Sequence, residues 1–177
     1  QDSRFYARSA HVPMLEPSDS QEAKDYVKLA FELSESYDTP VIVRLTTRVA
    51  HSQSMVELAE PQPITLKDYE KNPKKHVMMP AMAKARHILV EQRMKKLIHD
   101  SCQFEINKVE EGDPSIGIIA SGIVYQYAKE VLPEASFLKL GMVHPLPKDL
   151  ILDFASKVDK LYVLEELEPV IEEQIRS

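Results

Sequence analysis

The chain has 177 residues, a net charge of -6 and one cysteine, Cys102. A negative chain has no overall basic field, which argues against binding to nucleic acid or anionic membranes, and a lone cysteine excludes an internal disulfide. No apolar run approaches the roughly 20 residues of a membrane-spanning helix, so we expect a protein of a reducing, cytoplasmic compartment.

The first quarter of the chain predicts a strand, a helix and a second strand. Residues 12–15 are a short apolar run, and Ser18 with Gln21 gives a capping-box signal for a helix start. Apolar residues then recur at spacings of three and four as far as Tyr37. Pro40 disfavours helix at the residue before it. This order predicts a βαβ unit with a right-handed parallel crossover.

The second strand carries the candidate site. It contains Val41, Ile42, Val43 and Leu45, and the lack of polar alternation predicts a strand buried on both faces of a parallel sheet. Ligands bind at the carboxyl ends of such strands. The polar residues at this end are Arg44, Thr46, Thr47, Arg48, His51 and Ser52.

Two interpretations of these polar residues are open. Arginine forks and hydroxyl groups could hold a carboxylate or a phosphate, and His51 could act as a general base. Alternatively, the same groups cap the strand end and pair with acidic residues at a domain interface.

The middle of the chain is predicted to be a connector. Residues 57–79 are polar and rich in proline, and residues 80–102 have a discontinuous apolar stripe that predicts a helix starting at Pro80. A local basic group is formed by Lys71, Lys74, Lys75 and His76. It is interpreted as a solvated face of the connector, with an anion site as the alternative. Cys102 is expected to be a buried, inert thiol.

The last part of the chain alternates between strands and helices. An edge strand is predicted over 104–109, buried strands over 116–120, 136–143 and 161–166, and helices over 123–132, over 147–158 and after Pro169. This alternation predicts a doubly wound α/β domain. The fold class is therefore α/β.

Two groups of side chains in this part are candidates for catalysis or metal binding. The acidic residues Glu165, Glu166 and Glu168 follow a predicted strand and could be metal ligands or an acid/base pair, but acidic residues at a helix start also complement the helix dipole. His144 lies at another strand end. It is expected to be structural and to face the same rim as Arg44.

Two long stretches resemble one known family. MLEPSDSQEAKDYVKLAFELSESYDTPVIVRLTTRVAHS resembles the end of the pyrimidine-binding domain of thiamine-diphosphate-dependent 2-oxoacid:ferredoxin oxidoreductases. GIIASGIVYQYAKEVLPEASFLKLGMVHPLPKDLILDFASKVDKLYVLEELEPVIEEQ is similar to the transketolase C-terminal-like α/β domain that follows it there. The likeness is closest to the alpha subunits of indolepyruvate ferredoxin oxidoreductases. It implies a partial parallel-sheet pyrimidine-binding domain over 1–56, a connector with a helix over 57–103, and a transketolase C-terminal-like domain over 104–177.

The resemblance also implies an activity for the parent enzyme. Such enzymes decarboxylate aryl pyruvates on thiamine diphosphate with Mg²⁺, pass electrons through 4Fe-4S clusters to ferredoxin and transfer the acyl group to coenzyme A. An alpha subunit pairs with a smaller beta subunit. The family's cofactor-activating glutamate, its GDG signature followed by asparagines, and its clustered cysteines have no counterpart in this sequence. We therefore expect an internal fragment that is inactive alone and binds none of these cofactors.

The resemblance gives the candidate site a location only. Related pyruvate enzymes have a run of arginine, threonine, serine and histidine at the strand end that matches residues 48–52, but Val49 and Ala50 change the spacing here. The six candidate residues are thus expected to form an active-site wall or an interface, with no catalytic residue among them. Two alternatives are a non-catalytic module that binds an anion and an enzyme for another 2-oxoacid such as pyruvate. An incomplete parallel sheet also predicts self-association of the fragment.

Overall fold

The computed structural model describes residues 2–61 and 68–176. Its helices are α1 (Arg4–Ala10), α2 (Ser20–Tyr37), α3 (Thr47–His51), α4 (Pro73–His76), α5 (Pro80–Asp100), α6 (Gly122–Val131), α7 (Lys148–Ser156) and α8 (Val170–Arg176). Its strands are β1 (Met14–Leu15), β2 (Ile42–Val43), β3 (Lys108–Glu110), β4 (Asp113–Ser121), β5 (Ala135–Leu140), β6 (Met142–His144) and β7 (Leu161–Leu164).

The strands form two mixed sheets, which confirms the α/β class. The first sheet has the order β2-β1-β6, with β1 parallel to β2 and antiparallel to β6. The second has the order β3-β5-β4-β7, with β4 parallel to both of its neighbours and β3 antiparallel to β5. The parallel pairing of β1 and β2 around α2 confirms the predicted βαβ unit.

Helices pack on both faces of the second sheet. Ile119 of β4 packs in one cluster with Ile151 and Phe154 of α7. The preceding Ile118 belongs to another cluster, with Tyr125 and Ala128 of α6. Successive side chains of a strand point to opposite faces, so α6 covers one face of the sheet and α7 the other.

The predicted strand over 136–143 is divided at Gly141. Residues before the glycine belong to β5 in the second sheet, and residues after it belong to β6 in the first. A Cβ on Gly141 would lie 2.5 Å from the Ile106 carbonyl oxygen and 2.5 Å from the Tyr26 hydroxyl. The chain can therefore change sheets here only because residue 141 has no side chain.

The prediction that residues 41–45 form a strand buried on both faces is wrong. Strand β2 covers only Ile42 and Val43, both half-buried, and Leu45 is 50% exposed. β2 is an outer strand of the first sheet as the structure describes it. Another strand, β1, therefore pairs with it along one edge only. A similar position at the edge of the second sheet leaves β7 half-buried instead of buried.

The capping residue of α2 differs from the prediction by one position. Asp19 is the N-cap and accepts a hydrogen bond from the Glu22 amide at 2.8 Å, while the Glu22 carboxylate accepts from the Ser18 amide at 2.9 Å. Two residues of the predicted apolar stripe, Val27 and Phe31, are exposed, whereas Tyr26, Ala30 and Leu33 are buried. The true buried face is thus narrower than the pattern indicated.

Helix α5 confirms the predicted helix in the connector, although Ile88 and Leu89 of its apolar stripe are exposed. Of the basic group before it, Lys75 pairs with Asp38. Residues 62–67 of the predicted connector lie outside the described residues.

Cys102 is free and half-buried, which corrects the expectation of a buried thiol. No helix in residues 2–61 or 68–176 is both long and apolar enough to cross a bilayer.

Candidate functional site

Five charged side chains meet where several strands end. Glu16 follows β1, Arg44 follows β2 and Glu165 follows β7, while Asp2 and Arg4 lie at the start of α1. Their side chains are between 0% and 8% exposed. We call these five residues the strand-end cluster. It contains three carboxyl groups and two guanidinium groups almost out of contact with water.

Arg4 joins the start of the chain to its end. Its Nη2 lies 2.5 Å from Asp2 Oδ2, and its Nη1 lies 2.5 Å from Glu165 Oε2. Nη2 also donates to the carbonyl oxygens of Glu166 and Glu168, at 3.2 and 2.7 Å. Burial alone would lower the pKa of Arg4, but the hydrogen bond to Asp2 and the charge of Glu165 raise it. The guanidinium therefore holds α1 against the segment that follows β7.

Glu165 also caps a helix. Its Oε2 accepts from the Ile171 amide and its Oε1 from the Glu172 amide, both at 2.9 Å, at the start of α8. The interpretation that Glu165 complements a helix dipole is confirmed. In the two described parts of the chain, no three His, Cys, Asp or Glu residues are grouped so that they could hold a metal ion.

Glu16 and Arg44 form the other half of the cluster. Arg44 Nη1 lies 2.7 Å from Glu16 Oε1, an ion pair whose geometry is not that of a hydrogen bond. Arg44 Nε donates to Ser3 Oγ at 3.0 Å. Glu16 Oε2 is buried and has no hydrogen-bond partner in the described structure. Burial raises the pKa of Glu16 against the opposing charges of Arg44 and Arg4.

The turn after β4 closes over the same carboxyl group. Gly122 has a φ of +53°, and a Cβ at this position would lie 2.5 Å from Glu16 Oε1. The start of α6 at Gly122 therefore lies against the same carboxylate that pairs with Arg44. Glu16 occupies the place that the sequence had suggested for a free anion.

The structure separates the six predicted site residues into two groups. Arg44 and Thr46 are buried, and Thr46 Oγ1 has no hydrogen-bond partner among the described atoms. The other four lie on or next to α3 and are exposed: Thr47, Arg48, His51 and Ser52. Ser52 Oγ donates to the Val49 carbonyl at 2.8 Å. The assignment of the six to an active-site wall or interface stays a prediction.

His144 does not face the rim formed by Arg44. It pairs with Met14 at the start of β1, whereas Glu16 and Arg44 follow the ends of β1 and β2. Because β6 runs antiparallel to β1, the carboxyl end of β6 lies beside the start of β1. The strand-end cluster lies at the other end of these strands. The expectation of a shared rim is therefore wrong.

Sequence reasoning missed Asp2, Arg4 and Glu16. Glu16 directly follows the apolar run over 12–15, so the strand-end argument that selected Arg44 could also have selected it. Arg4 and Asp2 precede any predicted element. Their partner Glu165 is 161 residues from Arg4, and no local pattern signals that contact.

Comparison with known proteins identifies similar sequences. Residues 1–116 match a family model described as pyruvate flavodoxin/ferredoxin oxidoreductase, thiamine diphosphate-binding. The indolepyruvate oxidoreductase subunit IorA of Archaeoglobus fulgidus is 39% identical over 100% of this chain, and that of Methanothermobacter marburgensis is 40% identical over 99% of it. The chain spans 29% of the length of each of these relatives.

A solved structure has a similar fold. It is a 2-oxoglutarate:ferredoxin oxidoreductase from Magnetococcus marinus with 2-oxoglutarate, coenzyme A and succinyl-CoA bound. The TM-score is 0.60 at 18% sequence identity, over 99% of this chain and 40% of that one. At this identity the match concerns the fold alone.

Proposed function

This chain belongs to the pyruvate flavodoxin/ferredoxin oxidoreductase family, and from that premise we propose that it is a segment of an indolepyruvate ferredoxin oxidoreductase alpha subunit. The observation that carries the proposal is the identity of 39% and 40% to two indolepyruvate oxidoreductase subunits over essentially the whole chain. The expected resemblance to this family is thereby confirmed.

The proposed activity is that of the assembled enzyme. It would oxidatively decarboxylate aryl pyruvates in the cytoplasm, with ferredoxin as electron acceptor and coenzyme A as acyl acceptor. The proposed machinery includes thiamine diphosphate with Mg²⁺, 4Fe-4S clusters and a beta subunit. Support comes from the family description, which names thiamine diphosphate and ferredoxin.

We propose the predicted domain borders as a working division: a pyrimidine-binding part over 1–56, a connector over 57–103 and a transketolase C-terminal-like part over 104–177. On this division the first sheet takes β1 and β2 from the first part and β6 from the third. The two parts would then share a sheet, so they would move together.

The described residues do not fit a complete thiamine diphosphate site. The described residues offer no group of three metal ligands for a metal-bound diphosphate, and Arg44, a buried cation at the strand ends, already pairs with Glu16. We therefore derive no catalytic step from this chain. Its proposed contribution is positional: Arg4 and Arg44 fix the strand ends, and the residues from Arg44 to Ser52 form a wall or interface beside the active site.

The test is substrate preference in the whole enzyme. The full protein that contains this chain is prepared with its beta subunit under anaerobic conditions, and reduction of ferredoxin is followed with coenzyme A and each of three 2-oxoacids. We expect kcat/KM to be highest for indolepyruvate. A higher value for pyruvate or 2-oxoglutarate would replace the proposed substrate, and no reduction with any of the three would overturn the proposed activity.

A further inference from the structure

A cavity of about 430 Å³ lies beside the carboxyl end of β6. It is bounded by α1, α5, β6, α7 and α8, and no residue of the strand-end cluster lines it. Its volume is within the range of small-molecule sites in proteins.

The walls of the cavity are mainly apolar. Side chains from three helices and the segment after β6 contribute: Met94, Ile98, Leu146, Ile151, Leu152 and Ile175. Thioether and branched aliphatic groups of this kind can surround a flat ring. The cavity therefore suits the apolar part of a ligand of modest size.

The charged groups on the walls are all basic. Arg8, His11 and Lys148 line the cavity and no acidic residue does, although the chain has 28 acidic and 22 basic residues. His11 contacts Glu91 outside the cavity at 3.4 Å. Within the described structure neither Arg8 nor Lys148 forms an ion pair. Two unneutralised cations beside apolar walls favour an anionic group at one end of a ligand.

His144 gives a second reason to expect a ligand. Its ring is part of the wall, and both Nδ1 and Nε2 are shielded from water and lack a hydrogen-bond partner. Unpartnered buried polar groups are rare and costly in native proteins. Burial and the charges of His11 and Arg8 lower the pKa of His144 to about 4, so the ring is neutral at pH 7. A neutral imidazole can donate one hydrogen bond to an acceptor in the cavity.

We propose that this cavity binds a small aromatic carboxylate. The ring would lie among Met94, Ile151 and Leu152, and the carboxylate would contact Arg8 and Lys148. Rotation of the His144 ring about its Cβ–Cγ bond would supply the missing partner of one ring nitrogen. The site is independent of the proposed function, because it uses none of the residues to which that function assigns a position.

The test uses phenylacetate as the probe and the full 177-residue chain labelled with ¹⁵N. We expect saturable chemical-shift changes at the cavity residues and at the His144 ring nitrogens. Phenylacetamide has the same ring without the charge and should bind about tenfold more weakly, as should phenylacetate to Arg8→Gln or Lys148→Gln, since loss of one charged contact costs roughly a factor of ten. Lys160→Gln, at an exposed position, is the matched control and should bind like the unmodified chain.

A third variant separates loss of binding from loss of the fold. Leu152 is 59% exposed, so Leu152→Trp can fill the cavity from its rim with little effect on packing, and it should abolish binding while the other resonances stay in place. The proposal is overturned if the unmodified chain shows no saturable shifts. It is also overturned if Arg8→Gln binds as well as Lys160→Gln, or if the shifts lie outside the cavity. Because no activity is measured, these results leave the test of the proposed function separate.

Discussion

Glu16 is a carboxyl group that the fold holds between a guanidinium group and a glycine. Its side chain is 4% exposed, and one of its two oxygen atoms has no hydrogen-bond partner in the described structure. Burial raises its pKa above the ordinary value of 4.5, although Arg44 and Arg4 oppose the rise. The folded protein therefore binds a proton at this position more readily than the unfolded chain does.

The pH dependence of Glu16 follows from this direction. A raised folded pKa means that the stability contributed by the protonated group is fully present below the unfolded pKa and is lost as the pH rises through the folded pKa. We expect the unfolding free energy of the unmodified chain, relative to Glu16→Gln, to be greater at pH 5 than at pH 8. Urea unfolding at both pH values measures it. Relative to the control Glu32→Gln, at an exposed position, the unmodified chain should show no such difference. An unfolding free energy relative to Glu16→Gln that is greater at pH 8 than at pH 5 would contradict the prediction.

His144 should show the opposite pH dependence. Its folded pKa of about 4 lies below the ordinary value of 6.5, so its neutral form stabilises the fold above pH 6.5, and this stability is lost as the pH falls toward 4. His11 and Arg8 are the charged groups that act on it. Relative to His144→Gln, the unmodified chain should lose stability between pH 6.5 and 4.5, which urea unfolding measures. His99→Gln is the exposed control. An NMR titration that gives His144 a pKa near 6.5 would disprove the expectation.

The candidate site was only partly predictable at the scale of residues. Arg44 and Thr46 were found because they follow a strand, and that rule does not need tertiary contacts. The rule does not say which side chains turn inward, so it also selected Arg48 and His51, which are exposed. The partner of Arg44 is Glu16, and the two are joined only when β1 and β2 pair.

Lys139 joins strand β5 of the second sheet to helix α2, which lies in the sequence between the first two strands of the first sheet. It lies on β5 of the second sheet, is 4% exposed, and pairs with Glu22 of α2 while its Nζ lies 4.7 Å from the centre of the Tyr125 ring of α6. Glu22 also accepts hydrogen bonds from Ser18 before α2. One ammonium group thus holds the start of α2 against the second sheet.

Removal of this ammonium group should be costly. Lys139→Met leaves the Glu22 carboxylate without its cation in a largely buried position, and we expect a loss of about 3 kcal/mol in the free energy of unfolding. The double variant with Glu22→Gln should recover part of that loss, since no unpaired charge remains. Guanidinium chloride unfolding of the four proteins in the cycle measures both effects. The control is Lys157→Met, because the Lys157–Asp153 pair is exposed on both sides and its removal should cost much less stability. Equal losses for the two lysines would contradict the prediction.

Most helices and strands were predictable, and the exceptions have physical causes. The helices α5 and α6 follow from periodicity and from the residues that start and end them. Helix α1 was not predicted, since Arg4 at its start is held by contacts more than 160 residues away in the sequence. The strand over 136–143 was predicted as one element, because alternation and burial are the same on both sides of Gly141. Only the sheet partners distinguish β5 from β6.

The surface of the whole molecule carries unpaired strand edges and large apolar groups. Strand β2 pairs on one side only within the described structure. The amides of Ile42 and Arg44 bond to the β1 side, at the carbonyls of Pro13 and Leu15, so the Val43 amide points to the free edge. Phe31 is 71% and Met55 98% exposed. Both features favour association with another chain.

We therefore expect the isolated 177-residue chain to self-associate. Sedimentation velocity at increasing concentration should show a dimer, because a free edge can pair with its copy. Val43→Pro removes the outward amide at an edge position that tolerates proline, and it should shift the equilibrium toward monomer. Tyr127→Ser, on the exposed side of α6, is the control and should leave the dimer. A monodisperse monomer of the unmodified chain at high concentration would rule the association out.

Gly141 also limits how the molecule can be divided for engineering. Because one residue passes the chain from the second sheet to the first, neither sheet is a portable module that can be grafted into another protein by itself. A segment cut after residue 103 would keep β1 and β2 but lose the strand that covers the other edge of β1. The remaining segment would carry β6 without a partner. Chimaeras between relatives should therefore place their junctions outside residues 12–164, so that both sheets come from one parent.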